Sequence, residues 1–210
     1  MPAGSVEVDY LVVGAGAAGL AFTDALISES NASVLMVDRR HGPGGHWNDA
    51  YPFVRLHQPS AFYGVNSRKL GEDRIDDTGP NAGFYERATA AEICHYFQAV
   101  LNDQLLTSGQ VEFFPMTICI ENESERARVV CRLTGVEQEV IVTRKVVDAR
   151  YLESSVPATH APNFTVDKDA RCIPVNDLVR SDHPTGGYVV IGAGKTGMDA
   201  ESTHVRERQP

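Results

Sequence analysis

Two short apolar runs near the start of the chain are separated by a segment of helical character. The runs are Tyr10–Val13 and Val34–Val37, and the helix between them is predicted from about Leu20 to Ile27. Short runs rich in valine are typical of strands, and the order strand, helix, strand is typical of a parallel sheet. The pattern therefore predicts an α/β fold from the first residues onward.

A second helix is predicted where Thr89 and Glu92 match a capping box. It follows a polar segment, residues 64–84, that we predict to be a long loop. Apolar residues then recur at helical spacing, and Gly109 follows as a stop signal. The recurring positions are Ile93, Phe97, Val100, Leu101 and Leu105. We predict that this stripe packs in a core rather than against a cofactor.

Five β-type segments, separated by polar residues, follow this helix. They are residues 111–114, 116–120, 127–133, 139–143 and 146–149. The first alternates as a short parallel strand, and the last is the predicted return to the main sheet. A further apolar run at residues 188–191 predicts another strand much later in the chain.

A glycine-rich turn joins the first strand to the first helix. It comprises Gly14, Ala15, Gly16, Ala17, Ala18 and Gly19. In a dinucleotide-binding turn, Gly14 permits the tight exit from the strand, Gly16 lets the backbone approach a pyrophosphate, and Gly19 lets helix and strand pack closely. Asp38 follows the second strand, at the position where a carboxylate accepts hydrogen bonds from ribose hydroxyls. The sequence therefore predicts a dinucleotide site, and an incidental glycine-rich turn is the alternative.

Composition narrows the range of partners. The chain has 210 residues, a formal net charge of -9 and a pI of about 5.2. This acidity argues against a broad surface for nucleic acid or anionic membranes, because both require clustered Lys and Arg. No stretch reaches the roughly 20 apolar residues of a membrane span. The expected partner is a small-molecule cofactor, with no nucleic acid and no membrane.

The spacing of the four cysteines indicates whether the chain works in a reducing or an oxidising compartment. They stand at positions 94, 119, 131 and 172, without a C-x-x-C pair, so neither a zinc ribbon nor a dithiol redox motif is present. They suit a reducing compartment as small apolar residues. The first residues contain no signal-peptide pattern, and a cytoplasmic location is the expectation.

The segment after Asp38 is a loop at the carboxyl edge of the predicted sheet, where ligands bind in open α/β folds. Arg39 either lies over an adenine or meets a phosphate, or it is a solvated arginine. Trp47, the one tryptophan of the chain, either forms a pocket wall or covers a small core.

Together, the first glycine turn, Val37-Asp38 and Gly44-Gly45-His46-Trp47 resemble the flavoproteins with two dinucleotide-binding domains, and especially the class B flavoprotein monooxygenases. The resemblance implies FAD at the first turn and an FAD-binding domain at residues 1–151, with a small antiparallel β-meander inserted at about residues 111–143. It places Gly45 and Trp47 along the cofactor. The fold class it implies is a Rossmann-like α/β domain with a parallel sheet.

The following segment departs from this family. Tyr51-Pro52 resembles the start of Y-P-G-x-x-x-D in Baeyer-Villiger enzymes, but Phe53 replaces the glycine and His57 replaces the acid. His57 can donate a hydrogen bond to the flavin or shuttle protons, or it can be an ordinary loop histidine. Gln58 can contact the flavin edge.

Two further positions bear on this resemblance. Met116, in the predicted meander, can offer its backbone to the adenine. Arg150 stands where the family commonly has A-T-G, and it is a candidate electrostatic substitute for the lost backbone approach.

A second glycine turn follows a connector at residues 152–187. It contains Gly192, Gly194 and Gly197, with Lys195 beside them as a source of charge for an anion. In the resembled enzymes this unit binds NADPH, but residues 188–210 contain only its beginning. One possibility is that residues 188–191 add a strand to the first sheet.

Three functions stay open. The chain is an FAD- and NAD(P)H-dependent oxidoreductase in truncated form, an FAD-binding module completed by another chain, or a remnant without cofactor that self-associates. The catalytic residues and the substrate are not predicted.

Overall fold

A computed structural model of the chain describes residues 5–123, 126–150, 157–158, 160–181 and 188–206. The strands are β1 (Val6–Val13), β2 (Val34–Val37), β3 (Val111–Phe114), β4 (Thr117–Glu123), β5 (Arg126–Cys131) and β6 (Glu137–Asp148). The α-helices are α1 (Ala17–Glu29), α2 (Ala90–Val100) and α3 (Lys195–Arg206). Short helical turns occur at Gly45–Asp49, Ser60–Phe62, Gly79–Asn81, Leu101–Leu105, Leu106–Ser108 and Val175–Arg180.

The six strands form one sheet in the order β3-β2-β1-β6-β5-β4. Strands β3, β2, β1 and β6 are parallel to their neighbours, while β6, β5 and β4 pair in antiparallel fashion. This is the predicted Rossmann-like α/β fold with an antiparallel meander beside the parallel strands. The carboxyl ends of β1, β2 and β6 lie at one edge of the sheet, and the first glycine turn leaves β1 there.

The meander and the returning strand are continuous, which differs from the prediction of two separate runs. Strand β6 extends from Glu137 to Asp148, with one register shift opposite Val8 and Tyr10 of β1. Polar residues in its middle suggested a break, but these side chains bind Asp9. Thr143 Oγ1 donates a 3.0 Å hydrogen bond to Asp9 Oδ1, and Arg144 Nε lies 3.1 Å from the same oxygen.

Helix α2 begins at the predicted capping box. Thr89 N donates to Glu92 Oε2 at 2.7 Å, and Glu92 N donates to Thr89 Oγ1 at 3.3 Å. The chain continues through a π-helical turn, Leu101–Leu105, and stops at Gly109, whose φ is +72°. The predicted stripe, from Ile93 to Leu105, is buried in the core.

Side chains of alternate strand positions fill two cores on opposite faces of the sheet. Val12 and Met36 face α1 and α2, together with Leu20 and Phe97. Leu11 and Leu35 face a second cluster that the meander closes with Val129, Val140 and neighbouring residues. Because both faces are covered, β2 and the last four residues of β1 are unbroken apolar runs.

The predicted strand at residues 188–191 is absent from the structure, and it does not add to the sheet. Strand β1 already pairs with β2 on one side and β6 on the other. Val189 is 89% exposed and Ile191 is 70% exposed. Helix α3 nevertheless forms after the second glycine turn. Residues 151–156, 159, 182–187 and 207–210 of the predicted connector and second unit lie outside the described residues.

Candidate functional site

The first glycine turn allows β1 and α1 to approach closely. Gly14 has a φ of +111°, and a Cβ there would lie 3.0 Å from the carbonyl oxygen of Ala149. A Cβ on Gly19 would lie 1.9 Å from the oxygen of Gly14. Gly14 is required chiefly by its positive φ, which side chains rarely allow, and Gly19 is required because real Cβ atoms do not approach an oxygen so closely.

The second glycine of the turn is approached by another segment of the protein. A Cβ on Gly45 would lie 3.1 Å from Gly16 Cα, and Gly44 N donates a 2.9 Å hydrogen bond to Ala15 O. The Gly44-Gly45 segment therefore lies directly on the turn. A Cβ on Gly16 itself would lie 3.6 Å from Gly45 Cα, which is an ordinary van der Waals contact. The close approach therefore restricts Gly45, whose φ is +56°, and the pyrophosphate remains the predicted reason for Gly16.

Asp38 fastens the turn to the end of β2. Its carboxylate is 5% exposed; Oδ2 accepts a 2.7 Å hydrogen bond from Ala15 N, and Oδ1 accepts one of 2.7 Å from Arg40 N. A carboxylate has about four acceptor positions, so two remain for another donor such as a ribose hydroxyl. Asp38 is thus a structural anchor of the turn as well as a candidate ligand.

Two consecutive arginines, Arg39 and Arg40, lie in the loop beyond β2. Arg40 forms an ion pair with Asp49 through Nη2, and its Nε donates to the same carboxylate at 3.1 Å. Arg39 is exposed, and its carbonyl oxygen accepts a 2.8 Å hydrogen bond from Arg132 Nη1. Both alternatives for Arg39 therefore stay open.

Trp47 lies between the main core and a small cluster that contains Tyr51 and Val54. Its Nε1 donates a 2.7 Å hydrogen bond to Tyr63 Oη, and the two rings meet edge to face at 6.0 Å. Burial raises the pKa of Tyr63, which remains a neutral partner. Trp47 thus contacts a small core, and its place in a pocket wall stays a prediction.

His57 and Gln58 are exposed. Their side chains have no hydrogen bond, ion pair or ring contact in the part of the chain that the structure describes. Both are accessible to a ligand, and the structure does not fasten either one to the glycine turn.

Met116 has both backbone groups engaged. Met116 N donates to Arg40 O at 2.9 Å, and Met116 O accepts from Arg132 N at 2.7 Å. Its φ is +51°. The predicted contact between this backbone and an adenine is therefore limited to the second lone pair of the carbonyl oxygen.

The second glycine turn repeats the internal geometry of the first. Gly192 has a φ of +125°, and a Cβ on Gly197 would lie 2.5 Å from Gly192 O. Met198 N donates to Gly194 O at 3.1 Å, as Leu20 N donates to Gly16 O at 3.0 Å. Gly194 corresponds to Gly16 of the first turn. A Cβ on Gly194 would have no neighbour within 4 Å, whereas Gly45 packs against Gly16, so the second turn is the more open of the two.

Lys195 differs from its predicted use as a free charge for an anion. Its Nζ forms an ion pair with Asp199 and donates a 2.6 Å hydrogen bond to Arg55 O. Tyr51 Oη donates to Asp199 Oδ2 at 2.8 Å. Sequence reasoning missed this network, although the i, i+4 spacing of Lys195 and Asp199 is a signal for the pair.

Arg150 is paired with Asp148 at the end of β6. Its Nε donates to Asp148 Oδ1 at 2.8 Å, and its Nη2 lies 2.5 Å from Oδ2. This contact lowers the pKa of Asp148 and raises that of Arg150. The proposed electrostatic substitution by Arg150 is therefore largely neutralised by its neighbour.

The described residues contain no group of three or more His, Cys, Asp or Glu side chains that could hold a metal ion. Within the same residues, every helix is too short or too polar to cross a membrane.

Comparisons with known proteins agree with this geometry. Residues 12–65 match the family model of the NAD(P)-binding Rossmann-like domain. The chain is 52% identical over 198 residues to an uncharacterised protein of Mycobacterium tuberculosis, a match that covers 94% of this chain and 36% of that protein. A ferredoxin–NADP reductase of Salinispora tropica is 36% identical over 90 residues, or 43% of this chain and 28% of the reductase. The chain thus spans about a third of the length of the curated relatives it matches.

A solved structure shares the fold over nearly the whole chain. Cyclohexanone-bound cyclohexanone monooxygenase superposes with a TM-score of 0.56 at 19% identity, over 96% of this chain and 37% of that one. The predicted resemblance to the flavin monooxygenases is thereby confirmed in fold: the chain has an α/β fold that is similar to that of cyclohexanone monooxygenase, and its residues 12–65 match the model of a Rossmann-like domain.

Proposed function

We propose that this chain binds FAD at its first glycine turn and belongs to an NAD(P)H-dependent oxidoreductase of the monooxygenase type. The observation that carries the proposal is the presence of two glycine turns with the same internal geometry in one chain. In the resembled flavoproteins with two dinucleotide-binding domains, each dinucleotide is bound at one such turn. Bound flavin supplies the redox chemistry, and the protein supplies position and electrostatics.

The start of α1 suits a pyrophosphate. The first backbone N–H groups of a helix have no intrahelical acceptor, and the helix dipole makes this end positive. Gly16 caps α1 without a side chain, and no acidic residue occupies the first turn. The amides of Ala17 and Ala18 are therefore the proposed donors to the FAD phosphates, with Asp38 accepting from a ribose hydroxyl.

The remaining candidates lie on either side of this turn. Gly45 and Trp47 would line the path toward the flavin, and the exposed His57 and Gln58 would face its ring. Arg39 and Met116 would lie on the adenine side. At the second turn, Gly192, Gly194 and Gly197 would hold NADPH through backbone amides, because Lys195 is engaged elsewhere.

A second candidate function is an FAD-binding module without turnover of its own, completed by further polypeptide or by a second copy. The exposed apolar side chains of Val189 and Ile191 favour this candidate, because such surface is usually covered by a partner. A remnant without cofactor is the third. For each, we propose the cytoplasm, where the unpaired cysteines would remain reduced.

The visible absorption spectrum tests these candidates. The protein is incubated with FAD, free cofactor is removed, and the spectrum is recorded before and after NADPH. A retained flavin band that NADPH bleaches supports the oxidoreductase. A retained band that NADPH does not bleach supports the module, and a colourless protein contradicts FAD binding.

A matched pair of variants locates the site. Ala18 is exposed in the first turn of α1, and Ala18→Glu would place a negative charge where the phosphates bind, without opposing the helix dipole. Ser28→Glu places the same charge at the exposed far end of α1. We expect Ala18→Glu to lose FAD and Ser28→Glu to retain it. Equal retention by both variants would place the flavin elsewhere.

A further inference from the structure

A polar cleft of about 660 Å³ lies between one side of α2 and the loops that precede this helix. We call it the α2 cleft. Its basic lining residues are Arg55, Arg68, Lys69, Arg74 and Arg87. None of the residues proposed above to bind a dinucleotide lines it, and its volume is in the range of small-molecule sites.

Most acidic groups of the α2 cleft are already engaged. Glu86 Oε1 accepts hydrogen bonds from the backbone N–H groups of Glu72 and Asp73, the second at 2.7 Å. Asp76 Oδ2 accepts from Asn81 Nδ2 at 2.7 Å. The carboxylate of Glu92 is used in the capping box of α2. These contacts hold the carboxylates in place without removing their charge, and Glu86 Oε2 also lies 3.6 Å from Arg74 Nε in an ion pair. Arg74 is therefore already paired within the cleft.

Arg55 and Arg87 are held by neutral oxygens instead. Arg55 Nη1 donates to Arg87 O at 3.0 Å, and Arg87 Nε donates to Asn81 Oδ1 at 2.7 Å. Over the ranges that the structure describes, neither guanidinium forms an ion pair with a carboxylate. Each keeps further N–H donors for another acceptor, since a guanidinium has five.

The two arginines are positioned by a rigid backbone. Leu56 N donates to Ala88 O at 2.9 Å, so the segments that contain Arg55 and Arg87 run side by side. Asn81, which orients Arg87, is 6% exposed, and its Nδ2 also donates to Tyr85 O at 2.9 Å. Donors that are fixed before binding lose little freedom on binding.

We propose that the α2 cleft is a binding site for a small metabolite with an oxyanion group, and that Arg55 and Arg87 hold this group. A guanidinium binds carboxylate or phosphate through two parallel N–H donors, which is the arrangement that such anions prefer. The site is separate from both glycine turns, so it does not depend on FAD binding. It does adjoin the second turn, because the carbonyl oxygen of Arg55 holds Lys195.

Isothermal titration calorimetry of the full chain tests this site. Succinate and inorganic phosphate are the probes, with sodium chloride at equal ionic strength as the control titration. Arg55→Gln and Arg87→Gln are the test variants. Lys69→Gln is the matched control, because Lys69 lines the same cleft, is 74% exposed and lies 4.0 Å from Asp73.

We expect saturable binding of at least one probe and an affinity at least tenfold lower in each arginine variant, with no such loss in Lys69→Gln. The probe that binds identifies the anion as carboxylate or phosphate. Thermal unfolding without probe shows whether each variant is folded; Arg55→Gln, at an exposed position, keeps the test valid if Arg87→Gln does not fold. Absence of saturable binding by the parent chain, or equal losses in all three variants, overturns the proposal.

Discussion

Tyr51 and Asp199 are joined by a 2.8 Å hydrogen bond from the phenol to the carboxylate across a sequence separation of 148. This contact connects α3 to the loop that follows β2. Burial, followed by the contact with Asp199, raises the pKa of Tyr51 to about 12 from an ordinary value of 10.0. The neutral phenol is therefore favoured in the folded chain.

The first prediction concerns stability at high pH. A raised pKa contributes stability below the unfolded pKa of 10.0, and this contribution is lost as the pH rises toward about 12. Asp199→Asn removes the carboxylate, so the pKa of Tyr51 should fall while remaining above 10 because of burial. The absorbance of tyrosinate during a pH titration measures the pKa of Tyr51. The Tyr51→Phe variant identifies which part of the signal comes from this residue. An unchanged pKa would mean that burial alone raises it.

The second prediction concerns the first glycine turn. Gly19→Ala would place a Cβ 1.9 Å from Gly14 O, so we expect a loss of about 2–4 kcal/mol in the free energy of unfolding. Gly194→Ala is the matched control, because no atom lies within 4 Å of its added Cβ. Urea denaturation measures both. Equal stability of the two variants would contradict the close approach of helix and strand.

The third prediction concerns Asp38. Asp38→Asn replaces one of two buried acceptors by an NH₂ group that faces a backbone N–H, so we expect a loss of about 2 kcal/mol. Asp49→Asn removes a carboxylate that is 65% exposed, for which we expect a loss of about 0–1 kcal/mol. Chemical denaturation compares the two. A smaller loss in Asp38→Asn than in Asp49→Asn would show that Asp38 does not anchor the turn.

The fourth prediction concerns Trp47 and Tyr63. Their 2.7 Å hydrogen bond and edge-to-face contact should give a coupling energy of about 1 kcal/mol in a double-mutant cycle. The variants are Trp47→Phe, Tyr63→Phe and the double variant, and thermal or urea unfolding is the measurement. Strict additivity of the two single changes would show that the contact contributes nothing to stability.

Local patterns allowed the main elements to be predicted from the sequence. The capping box at Thr89, the glycine turn after β1 and the β-type runs depend on residues that are close in the chain. The error at residues 188–191 has a different cause. An apolar run predicts a strand only if a neighbour is available to pair with it, and both sides of β1 were already taken by β2 and β6.

The candidate site was predicted less completely because its contacts join distant positions. Sequence spacing suggested Lys195 as an anion ligand, but its partners include Arg55 O, which no local pattern could reveal. The second role of Asp38, as acceptor for Ala15 N, likewise depends on the geometry of the folded turn. Tyr63 and Asn81 were missed for the same reason. Each accepts a hydrogen bond from a side chain distant from it or in another segment, Trp47 for Tyr63 and Arg87 for Asn81.

The position of β6 has a consequence for synthesis of the chain on the ribosome. Strand β1 begins at Val6, yet Val6 pairs with Val140 and Val13 pairs with Asp148. At about 5–20 residues per second, on the order of ten seconds separate the emergence of these partners. During that interval one edge of β1 is unpaired. Leu11 and Val13 also lack the meander residues that bury them in the folded chain. We expect nascent chains that end before β6 to remain sensitive to protease and bound by chaperones, and protection to appear only when Asp148 has left the exit tunnel.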